Sequence, residues 1–105
     1  MSTTITAQFD AIEQLAAELA GLAAELTEES QLCRSTAHSL GTAVSGATGE
    51  RAGAAGSGWA GVLELLGRQT GALAATLSAA VDSYRTADAV LADRVLARRH
   101  PAAAR

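Results

Sequence analysis

From Phe9 onward, small and apolar residues fall alternately three and four positions apart: Phe9, Ile12, Ala16, Leu19, Ala23, Leu26, Ser30, Cys33, Ala37, Leu40 and Val44. At 3.6 residues per turn this spacing brings each position round to one side, which is the a/d seam of a helix packed on another helix. Leu15 and Leu22 stand beside the seam and widen it, so this helix offers a surface to more than one neighbour, as bundle helices do. A second series repeats the pattern: Trp59, Leu63, Leu66, Thr70, Leu73, Leu77, Ala80, Tyr84, Ala87 and Leu91, continuing to Arg94 and Arg98. Val62, Leu65, Val81 and Val95 broaden its stripe. The pattern predicts two long helices, about residues 7–45 and about 58–98, the second roughly 60 Å long.

Between them the chain changes character. Gly41, Gly46, Gly49, Gly53, Gly56 and Gly58 interrupt it, with Ser and Thr between them. Each interior Gly costs a helix about 1 kcal/mol relative to Ala, so residues 46–57 read as a flexible connection. Thr6 is placed to cap the first helix and Ser57 the second. Arg94, Arg98 and Arg99 suit the negative end of the second helix dipole, and Pro101 ends it before a tail over 99–105.

Charge orients the pair. Asp10, Glu13, Glu18, Glu25, Glu28 and Glu29 crowd the first helix, while arginines gather at the end of the second, so antiparallel packing sets opposite charges together. Exposed pairs contribute only about 0 to 1 kcal/mol each and select orientation more than they hold the fold. The expected fold is all-α: an antiparallel helical hairpin of two long helices, one domain over residues 1–105, pairing into a four-helix bundle dimer. Pairing follows from composition. The chain is 49% hydrophobic but only 3% aromatic, and a two-helix layer of Ala buries too little area, at roughly 25 cal/mol per Å², to offset chain entropy alone.

Composition also narrows the function. A net charge of −3 and a pI near 5.2 give no electrostatic footprint for nucleic acid or an anionic membrane surface. The N-terminus has no basic region ahead of a long apolar run, so no Sec-type signal peptide is expected. No stretch reaches the ~18 apolar residues of a membrane span. Catalysis finds no convergent groups. Cys33 and His38 point about 140° apart on one helix, and His38 and His100 lack partners at metal-ligand spacing. The glycines are not followed by the Gly-Lys-Ser/Thr of a phosphate loop. No enzymatic activity, metal or cofactor is expected. Cys33, the single cysteine, has no intramolecular partner; only a bridge to another chain could use it.

Two short motifs remain. The only tryptophan opens Trp59-Ala60-Gly61, and the only tyrosine opens Tyr84-Arg85-Thr86-Ala87-Asp88. With two long helices around a Gly-bearing connection, they make the chain resemble the WXG and EspC-like small helical-hairpin substrates of type VII (ESX) secretion in actinobacteria and related bacteria. The likeness covers nearly the whole chain and is carried most by residues 77–88. It implies a protein that leaves the cell folded, as a dimer with itself or with a related hairpin, with Tyr84 and Asp88 as export signal for a translocase or chaperone. It also implies that the Trp59-x-Gly61 turn of one subunit completes the signal patch near the Tyr motif of its partner. Trp59 and Tyr84 lie ~37 Å apart along one helix and cannot form one patch within a chain. Both motifs in one chain allow a homodimer, whereas many family members divide them between two partners. Trp59 also stands later than usual for the family, and the Gly-rich segment is longer than a tight turn needs.

The runner-up is a cytosolic coiled-coil adaptor or regulatory subunit whose seam docks to another helical protein. A membrane-active amphipathic protein would need a cationic face, which the acidic first helix opposes.

Overall fold

The computed structural model describes residues 3–99. They form two helices, α1 (Thr3–Ala43) and α2 (Gly46–Arg99), packed antiparallel along their length, with no strand among the described residues. The hairpin measures 85 × 22 × 12 Å. Only Val44 and Ser45 separate the helices. The Val44 N–H still donates to the Leu40 carbonyl at 3.0 Å, and the reversal is then made by Gly46 at φ 81°, in the left-handed region that L side chains avoid.

The hairpin seam is built from small residues. On α1 the buried positions are Ala16, Ser30 and Ala37, with Ala23 half-buried between them; on α2, beyond Gly49 at the reversal, they are Ala60, Gly67, Ala74 and Val81. Both series step by seven, so the seam keeps facing the partner helix as the two supercoil. Side chains this small let the backbones approach. A Cβ at Gly67 would stand 3.3 Å from the Ala23 carbonyl oxygen, and one at Gly56 would stand 2.7 Å from the Ala37 Cβ. The buried Ser30 hydroxyl is satisfied by donating to the Thr27 carbonyl at 2.7 Å.

This close approach corrects the expected connection at 46–57, which is the start of α2. Its glycines cost helix stability, but three of them lie in contact with the reversal or with α1, and at Gly49 and Gly56 a side chain has no room. Gly49 lies against the Val44 carbonyl, Gly53 against that of Ala37, and Gly56 against the Ala37 side chain. Ala52, Ala54 and Ala55 supply helix propensity between them. Thr6 and Ser57 consequently lie inside helices and cap neither, and Arg99 belongs to α2; residues 100–105, including His100 and Pro101, lie outside the described residues.

The seam on α2 is also one position away from the series through Leu66 and Leu73. Those leucines are 44% and 51% exposed, and Gly67 and Ala74 take the contact with α1 instead. A leucine there would hold the helices apart. Leu63 and Leu77 are half-buried at the seam's flank, as are Phe9, Leu19 and Leu26 on α1, while Ile12 and Leu40 are exposed at its edge.

Candidate functional site

With the buried residues at position a of the seven-residue repeat, positions d and g fall on one side of the seam and e and b on the other. In an antiparallel pair, e meets e. The ion pairs fix which side that is: Arg34 bonds Glu64, and Arg85 bonds Asp10 at 2.7 Å and Glu13 at 3.3 Å. Arg34, Glu64, Glu13 and Arg85 all occupy e positions and Asp10 a b position, so one broad face of the hairpin is charged.

The opposite face is apolar. Ile5, Ile12, Leu15 and Leu22 on α1, and Trp59, Leu66, Leu73, Tyr84 and Leu91 on α2, all occupy d or g positions, and all remain exposed. Over this length the apolar face runs about 50 Å, well beyond the isolated surface hydrophobes of ordinary monomers. The hairpin's own core holds no side chain larger than Val: Ala, Ser30 and Val81. Most of the large apolar side chains are therefore held ready on one surface.

Both aromatic motifs belong to that surface. Trp59 is 58% exposed, and 25 positions later Tyr84 is 64% exposed. Twenty-five steps of 100° come within about 20° of whole turns, so the two rings leave α2 on the same side. Within Trp59-Ala60-Gly61 the middle residue is the anchor: Ala60 is fully buried in the seam, Trp59 projects to the apolar face, and a Cβ at Gly61 would meet nothing within 4 Å. The motif lies thirteen residues into α2 and thus ~20 Å from the reversal. It is not a turn.

Tyr84 stacks on Phe9 of α1, ring centroids 6.4 Å apart and planes 9° from parallel, and the Arg85 guanidinium lies 5.8 Å from the centre of the same Phe9 ring. Such contacts are worth about 0.5 to 1.5 kcal/mol each. They hold the tyrosine ring against α1 while leaving most of it open. Asp88 behaves differently. It occupies position a, in line with Val81, and turns toward the seam: the residue is half-buried, and its Oδ2 is buried without a hydrogen-bond partner. Arg85, the neighbour suggested by sequence, is engaged by Asp10 and Glu13. Asp88 borders a groove of about 450 Å³ along Leu91, Ala92, Val95 and Leu96. Tyr84 and Asp88 are neighbours on α2, but only the phenol is displayed.

Sequence reasoning did not find the Phe9, Tyr84 and Arg85 contact, nor the Arg34 to Glu64 pair. The Ala60, Gly67, Ala74 and Val81 series was visible as a run of small residues at sevenfold spacing and would have set the register. Cys33 is half-buried on α1 and His38 is exposed. Among the described residues no three His, Cys, Asp or Glu side chains gather as metal ligands, and no helix is long and apolar enough to cross a membrane. Comparisons with protein-family models, curated proteins and solved structures found no match to this chain.

Proposed function

We propose that this chain is a non-enzymatic protein exported by a bacterial type VII (ESX) secretion system, acting through protein contacts as one half of a four-helix bundle. The observation that carries the reading is the shared apolar face: Trp59 and Tyr84 stand on it together, exposed, at the ends of a row of unburied leucines. A second hairpin laid antiparallel on this face brings the tryptophan of one subunit toward the tyrosine of the other, as the resemblance to WXG and EspC-like proteins implies. Tyr84 is then the displayed half of the export signal, and Asp88 acts at the helix seam beside it. On this reading the destination is the cell surface or the medium.

The test is export itself. Tyr84→Ala should keep helix content and partner binding while its level in the culture filtrate falls at least about tenfold. Asp88→Ala should behave likewise. Wild-type export of both variants would remove the signal assignment.

A second reading, a cytosolic helical adaptor, draws on two observations: Trp59 lies well inside α2, and one Asp88 oxygen is hidden. It predicts that the native protein stays with the cytosol on fractionation.

A further inference from the structure

The two ends of the hairpin are held in unlike ways. Toward the open end, Arg85 bonds Asp10 and Glu13, and Tyr84 stacks on Phe9. At the reversal end, residues 46–58 carry five glycines in thirteen positions, against two in the twenty-seven of residues 62–88. Each interior glycine favours the open chain about fivefold over alanine. The apolar side chains of this stretch are all alanine, and Gly49 is its only buried residue. Glu50 and Arg51 are exposed and form no ion pair among the described residues. Gly53 and Gly56 nevertheless lie over Ala37, which is 2% exposed. The first firm attachments beyond them are Ala60, fully buried, and the ion pair of Glu64 with Arg34.

We infer that residues 46–58 are a flap: about three and a half turns of α2 that lift from α1 as one unit, hinged at Gly58, while residues 62–88 stay paired. Segments with few buried apolar contacts open at free energies well below that of global unfolding. Gly58 suits the hinge because a Cβ there would meet nothing within 4 Å, so no packing holds it. Ala60 and the Arg34 to Glu64 pair keep the opening from spreading along the seam. Lifting the flap bares α1 around Ala37 and leaves Trp59 at the border between a yielding segment and a fixed one. The inference concerns the hairpin alone and holds whatever covers its apolar face.

Amide hydrogen exchange on the full-length protein, read by mass spectrometry at a series of urea concentrations below the unfolding transition, tests it. Amides of residues 50–58, past the first four that lack helical acceptors, should exchange about a hundredfold faster than those of residues 62–82. Lifting the flap exposes little surface, so their rates should scarcely respond to urea, whereas those of residues 62–82 should climb with it. Gly58→Ala should slow exchange at residues 50–58 about fivefold. One rate and one urea dependence for both stretches would overturn the inference, since the hairpin then opens only as a whole. Exchange of residues 50–58 at the rate of an unstructured peptide overturns it too, because no closed flap then exists, as does a Gly58→Ala variant that exchanges like the wild type. None of these outcomes bears on export of the Tyr84 variant, which judges the secretion reading separately.

Discussion

Glycine acts in opposite ways at different positions of this chain. At Gly49 a Cβ would stand 1.7 Å from the Val44 carbonyl oxygen, a backbone atom that cannot turn aside. At Gly21 and Gly58 a Cβ would meet nothing within 4 Å. Gly49→Ala should therefore lower hairpin stability by about 1 to 3 kcal/mol as the reversal is forced open. Gly58→Ala should raise it by up to about 1 kcal/mol through helix propensity alone. Thermal unfolding followed by circular dichroism separates them; equal shifts of the same sign would show that the reversal at Val44 does not close on Gly49. Gly46→Ala belongs with the first group, because φ 81° costs an L residue about 1 to 2 kcal/mol.

At the scale of the helix, register is set by the small residues and reinforced by Arg85. Its guanidinium reaches two carboxylates of α1 and lies near Phe9, tying α1 near its start to α2. Arg85→Ala should increase amide exchange in the first turns of α1 with little change near Ala37, at a global cost of about 1 kcal/mol or less because the pairs are largely exposed. Uniform loss of protection along α1 would contradict that local role. The two helices and their antiparallel sense were legible because three-four periodicity and charge asymmetry survive any detail of packing. Register and the length of α2 were not. Leucine at 66 and 73 outweighs Gly67 and Ala74 in a hydrophobic pattern, yet between closely packed helices the smaller residue takes the contact. Likewise Gly49, Gly53 and Gly56 read as breakers, since what accommodates them is tertiary: the reversal at Val44, five residues back, for Gly49, and Ala37 of α1, sixteen and nineteen residues back, for Gly53 and Gly56. For the candidate site, residue types and spacing marked Tyr84 and Asp88; that one faces solvent and the other the seam depended on the register.

For the whole molecule, the hairpin has two unlike faces, and its inner layer holds almost none of its large apolar side chains. Association should therefore depend on residues that the hairpin itself scarcely uses. Leu66→Glu with Leu73→Glu should change the melting of the isolated hairpin by about 0.5 kcal/mol or less while abolishing its assembly into the proposed four-helix bundle. Retained association would place the docking surface elsewhere on the hairpin.

The position of Trp59 gives the molecule a built-in optical probe. The sole indole is 58% exposed, at one end of the surface proposed to be covered. Free hairpin should emit with the red-shifted maximum and ready acrylamide quenching of a hydrated indole, and a bound one should shift to the blue and resist the quencher. Assembly can then be followed by intrinsic fluorescence, in real time and without a label.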